Sequence, residues 1–159
     1  MSAPSAAGSR FHLAQVNIAR PLAPLNSPVM QGFTEGISAM NALAERSPGF
    51  VWRLVGSPEA DAEAARVFED PTLLVTLSVW ESVETLRAYA MQSAHGSFLR
   101  RRAEWFHPAT GPSYAVWWIP QGTLPSLAEA HQRLAHLALH GPTPEAFGFR
   151  ESFPPPGAA

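Results

Sequence analysis

The sequence predicts an α+β fold of ferredoxin-like type, an antiparallel sheet carrying helices on one face. Three observations predict it. Read by hydrophobic period, the elements run strand, helix, strand, strand, helix, strand, helix, and the first six match a split β-α-β unit. The strands carry large apolar residues on both faces: Leu73, Val75, Leu77 and Val79 alternate with Leu74 and Trp80. A sheet with one wet face alternates more cleanly, so both faces need cover, and a second subunit packed sheet to sheet would supply it. Finally, 159 residues suit one domain.

The elements follow in order. Phe11 to Ala19 reads as a strand, with Phe11, Leu13, Gln15 and Asn17 on one face and Ala14, Val16 and Ile18 on the other. Ser27-Pro28 opens a helix, serine as N-cap and proline at the first helical position. Val29, Phe33, Ile37, Met40 and Leu43 recur at helical spacing, and Ser47-Pro48-Gly49 stops the run. Phe50 to Val55 is a short strand. Gly56 to Pro71 is an excursion with a partly helical Ala/Glu segment. Leu73 to Trp80 is the clearest strand, and Ser82 caps a helix to about Ala90. After a bend at Met91 to Ser93, helix resumes from about Ala94 to Phe106. Tyr114 to Pro120 is a fourth strand. Ser126-Leu-Ala-Glu129 is a capping box for a last helix that Gly141-Pro142 closes. The first ten residues read as a flexible tail without a signal-peptide core, residues 11–159 as the domain, and Phe153-Pro154-Pro155-Pro156 as an extended end.

Composition narrows the function. Hydrophobic residues make up 46% and charged residues 15%, enough apolar material for a packed core. A net charge of −2 leaves no electrostatic footprint for nucleic acid or an anionic membrane. No apolar run approaches a membrane span. The absence of cysteine excludes disulfides, thiolate metal sites and a cysteine nucleophile, and fits a cytoplasmic protein. There is no Gly-rich phosphate loop, no GxSxG elbow and no HExxH.

The segments LAQVNIARPLAPLNSPVM, SPGFVWRL, LSVWESVETL, SAHGSFLRRRAEWF, YAVWWIPQG and LAEAHQRLAHLALHGPTPEAFGFRESFP, taken in that order, resemble a bacterial domain-of-unknown-function family, number three-two-nine-one. The resemblance covers Phe11 to about Pro156. It implies the dimeric α/β-barrel superfamily, related to antibiotic-biosynthesis monooxygenases and including cofactor-free oxygenases, isomerases, cyclases and haem enzymes. That implies a homodimer with a small-molecule pocket, working without a cofactor or, alternatively, with haem. The family's Tyr-Arg-Ser-Ala-His run is Met91-Gln92-Ser93-Ala94-His95 here, which removes a basic residue.

Three groups of residues could carry chemistry. His95 lines up at helical spacing with Phe98, Leu99, Arg102, Trp105 and Phe106, a stripe expected to face the sheet. A neutral imidazole there could act as general base or ligate haem iron; the plainer reading is a core histidine bonded to backbone. Gln15, Asn17, Arg53, Thr76 and Ser78 interrupt apolar strands and need partners, which a ligand, each other or a second subunit could supply. Arg53 or Asn17 would hold a developing oxyanion. Trp52, Trp80, Tyr89 and Trp105 could wall an apolar aromatic or polyketide-like ligand, with Gln15, Thr76, Ser78, Phe98 and Arg102 as further contacts; the aromatics serve equally as core. The expected chemistry is proton abstraction leading to cyclisation, isomerisation or cofactor-free oxygenation; a non-catalytic dimeric accessory module is the alternative. His136 and His140, four apart, suit two ligands on one helix face, but no third ligand is aimed at them and no metal site is expected.

Overall fold

The computed structural model describes residues 10–157, and of 93–95 the backbone only. The first nine residues of the expected tail lie outside the described residues. Four strands form one antiparallel sheet: β1 (Phe11–Ala19), β2 (Phe50–Arg53), β3 (Leu74–Trp80) and β4 (Tyr114–Pro120), in the order β2-β3-β1-β4. Among the described residues, five α-helices accompany them: α1 (Gln31–Glu45), α2 (Pro58–Phe68), α3 (Val83–Ala90), α4 (Ser93–Arg100) and α5 (Leu127–His140).

The register divides the side chains by the two-residue period. Ala14, Val16, Leu77, Val79, Ala115, Trp117 and Ile119 share one face and are buried under Leu127, Ala130 and Leu134 of α5, with Ala64, Val67 and Phe68 of α2 beside them. Leu13, Trp80 and Val116 point the other way and pack with Ala44 of α1, Val83 and Leu86 of α3, and Phe147 of the C-terminal segment. The helices of the split unit therefore cover one face, as expected. The cover that the sequence assigned to a second subunit is provided by the chain itself: α2, from the excursion, and the extra C-terminal helix α5 occupy the opposite face. Trp117 is fully buried there, its Nε1 donating to Glu129 of α5 at 3.2 Å.

The caps match expectation only in part: Ser27 makes no side-chain cap and its hydroxyl donates to Pro24 O, and the Glu129 carboxylate accepts from Trp117 Nε1 instead of closing a capping box with Ser126. Ser57, Ser82 and Ser126 each accept a backbone N–H in the first turn of α2, α3 and α5, and Thr85 returns the bond to the Ser82 backbone. Gly49 turns at φ +85°, where an added Cβ would sit 2.4 Å from Thr85. Two helices depart from expectation. Residues 28–30 form a 3-10 turn ahead of α1, leaving Val29 half exposed instead of on the buried stripe. The helix expected to run to Phe106 stops at Arg100 and gives way to a 3-10 turn at Arg102–Glu104. The break turns Trp105 into the interior while residues 105–107 are pinned along the β1 exit, with Leu22 N donating to Trp105 O at 2.7 Å and His107 N to Arg20 O at 2.9 Å. The continuous stripe from His95 to Phe106 is therefore not formed.

Candidate functional site

On the face shared with α1 and α3, the register stacks side chains into three rows across the sheet. Phe50, Trp80, Leu13 and Trp118 make an apolar row. Next lie Arg53, Ser78, Gln15 and Val116, and beyond them Thr76, Asn17 and Tyr114. A face roofed by helices thus turns polar over two successive rows.

The middle row is tied together. Ser78 Oγ accepts from Gln15 Nε2 at 2.9 Å and from Trp80 Nε1 at 3.0 Å. With both acceptor sites taken, its hydroxyl hydrogen is the donor left to use. Gln15 is 8% exposed and Trp80 1%, so this triad is interior. Trp80 stacks on Tyr89, ring centroids 5.1 Å apart, and the Tyr89 hydroxyl donates to Met40 O of α1 at 3.2 Å. Burial raises the Tyr89 ionisation to about 12, so it remains a neutral phenol.

The outer row is different. Thr76 is exposed although it sits on the helix-covered face, and Asn17 beside it is half-buried. The helical layer leaves this end of the sheet open. At its other end, Tyr114 Oη is buried with no hydrogen-bond partner. Burial pushes the Tyr114 phenol strongly up, opposed weakly by the Arg87 charge. Arg87 donates to Phe149 O at 3.0 Å and lies 5.1 Å from the centre of the Phe149 ring, itself 5.4 Å from the Tyr114 ring.

The structure thus brings together Gln15, Asn17, Thr76, Ser78, Trp80 and Tyr89 of the expected site. It sets others apart. Arg53 shares the face at its edge, but its Nε donates to Glu45 of α1 at 2.6 Å, so its charge is neutralised by a helix carboxylate. Trp52 points to the opposite face, against the α5 core, because a bulge between Phe50 and Trp52 shifts the register of β2. Arg102 is exposed on the 3-10 turn. Phe98 and Trp105 form an aromatic knot with Phe33 and Phe106, centroids 4.9–5.8 Å apart, built into α1 where Gly36 lets the Phe98 ring approach. The His95 side chain lies outside the described residues; α4 carries its backbone one turn before Phe98. Tyr114 belongs to the aromatic set that could wall a pocket, but the sequence did not assign it to the site. Its position opposite Asn17 was hidden in the register, and Arg87 and Phe149 reach it only through tertiary packing.

Two open clefts lie elsewhere. One, of about 740 Å³, runs between His12, Glu81, Glu84, Trp118 and Phe153. The other, of about 700 Å³, is lined by Pro21, Leu25, Leu54, Ala64 and Leu74, with Arg20 and His107 also on its wall. No described residue of α4 borders either. Among the described residues no three His, Asp or Glu gather to hold a metal. The His136 and His140 rings lie 4.4 Å apart, with His136 Nε2 3.0 Å from Thr143 Oγ1.

Sheet, roofing helices and polar rows define a small α+β fold whose helix-covered face turns polar and open at one end. The chain belongs to the family described as domain of unknown function (DUF3291), which it matches over residues 12–159. No curated protein matches the sequence. Among solved structures it is similar to SnoaB, a cofactor-independent oxygenase from Streptomyces nogalater, at 15% identity and TM-score 0.48, covering 72% of this chain and 98% of that one. It is similar to a putative antibiotic biosynthesis monooxygenase from Nitrosomonas europaea at 13% identity and TM-score 0.46, covering 71% and 91%. A conserved protein from Methanosarcina mazei Go1 gives 12% and 0.49, covering 70% and 93%.

Proposed function

We propose that this protein is a small-molecule enzyme that binds a flat, apolar, aromatic or polyketide-like substrate over the outer polar row and abstracts a proton from it. The observation that carries the reading is Thr76: an exposed side chain on a face otherwise roofed by helices, in one row with Asn17 and Tyr114 and next to the Gln15–Ser78–Trp80 triad. A polar row at the open end of an apolar layer suits a ligand with a broad apolar body and a few oxygens. His95 is the base: its imidazole takes a proton from an acidic carbon next to a carbonyl, the C–H electron pair delocalises into the enolate, and Asn17 donates to the enolate oxygen. Returning that proton at another carbon completes an isomerisation, with no external oxidant. Arg53, engaged by Glu45, holds β2 to α1 and is not given the oxyanion role. The site lies within one subunit. The homodimer implied by the resemblance makes its contact elsewhere than the sheet face that α2 and α5 occupy.

Anthrone, a flat tricyclic ketone with an acidic methylene, is a suitable probe. Under argon in deuterated buffer, wild-type protein is expected to speed deuterium uptake at that methylene. His95→Ala should abolish the acceleration and Asn17→Ala should lower it about tenfold or more. Uptake at the buffer rate with wild-type protein contradicts the enzyme reading. A Soret band after haem addition that disappears in His95→Ala would assign haem to this face instead.

A further inference from the structure

Among the described residues, Tyr114 Oη is the one buried side-chain polar atom left without a hydrogen-bond partner. A hydroxyl sealed from water and unmatched is costly, so a fold that keeps one has a use for it. The surroundings say what kind. The Tyr114 ring is fixed by Phe149. Arg87, whose charge bears on Tyr114, already donates to the Phe149 carbonyl. Burial holds the phenol neutral, so near neutral pH it has a proton to give. Its row neighbour is Asn17, followed by the exposed Thr76, so Tyr114 stands at one end of the row proposed above to receive a ligand.

We infer that Tyr114 is a specificity-determining residue that donates a hydrogen bond to a neutral carbonyl oxygen of the bound aromatic molecule, selecting ketones and quinones over hydrocarbons of the same shape. A carboxylate suits the position less well, because burying its charge beside a neutral phenol leaves it unpaired. The inference rests on the proposed small-molecule site and adds the chemical class of its ligand.

The test compares 2-methyl-1,4-naphthoquinone with 2-methylnaphthalene, which share one carbon skeleton and differ in the two carbonyls. The chain has neither cysteine nor lysine to add to the electrophilic quinone ring. Dissociation constants come from tryptophan quenching, and melting temperatures are taken without ligand, for wild type and Tyr114→Phe. Wild type is expected to prefer the quinone about tenfold, the worth of one hydrogen bond. Tyr114→Phe should lose that preference, keep its affinity for the hydrocarbon and, free of ligand, melt at the wild-type temperature or above. A lower ligand-free melting temperature would show that the hydroxyl has a protein partner and overturn the inference. So would a quinone preference that survives the substitution. Wild-type protein that binds neither compound overturns the site itself, and the donor with it.

Discussion

At the scale of single residues, the face is organised by hydrogen-bond accounting. Ser78 receives two buried donors, so Ser78→Ala strands the Gln15 amide and the Trp80 indole together. Ser78→Ala is expected to cost roughly 2 kcal/mol in chemical denaturation, more than an ordinary Ser→Ala change in a strand. Outside the site, Asp70 is held down to about 2, first by the Thr72 hydroxyl, then by Arg20 and the Thr72 backbone N–H. The folded value lies below the ordinary 3.8, so the carboxylate stabilises the fold above that pH and the contribution fades as pH falls from about 4 to 2. Asp70→Asn should flatten the acid limb of a melting-temperature profile between those values and leave its neutral limb with the same slope. The sequence exposed the polar residues in apolar strands, since Gln15 and Ser78 break an alternation anyone can read. It did not expose the unmatched Tyr114 hydroxyl, because a missing partner is a property of packing, nor the capture of Arg53 by Glu45, because their pairing depends on how β2 meets α1.

Among the elements, the strands and most helices were legible, while one helix starts later than expected and another stops early. β1 and β4 fall where the two-residue period puts them, and Ser82 and Ser126 open helices where their capping chemistry does. The failure lies between Ala94 and Phe106. A helical stripe written in sequence gives no sign that the backbone turns into a 3-10 segment so that Trp105 joins Phe33, Phe98 and Phe106. The contact between α1 and α4 depends on Gly36, where an added Cβ would sit 2.5 Å from the Phe98 ring. Gly36→Ala is therefore expected to destabilise the protein by about 1–3 kcal/mol despite alanine's better helix propensity, as an overpacked contact does. Stability equal to wild type or above in urea would mean that the two helices separate at little cost.

At the scale of the whole molecule, the chain's own helices cover both faces of its sheet, apart from the open end at Thr76. The apolar character of both strand faces was readable, and the demand for cover was correct. Its source was not readable, because the Ala/Glu excursion and the last helix carry amphipathic patterns that do not say which surface they meet. Placing α5 on the second face assigns Leu134, 6% exposed, to the core of one subunit. Leu134→Ala should then cost roughly 2–4 kcal/mol in a concentration-independent unfolding transition. A transition whose midpoint depends on protein concentration, with the substitution changing the state of association in sedimentation, would place a second subunit on that face.

On the proposed reading, the open end of the helix-covered face, along Thr76, Asn17 and Tyr114, receives a flat small molecule. The most direct measurement is a crystal structure of the protein with 2-methyl-1,4-naphthoquinone. Ring density is expected over that row, on the face shared with α1 and α3, with a carbonyl oxygen within hydrogen-bond distance of Tyr114. Density in the cleft beside His12 and Trp118, or in the cleft beside Leu25 and Leu74, with the row empty, would contradict it.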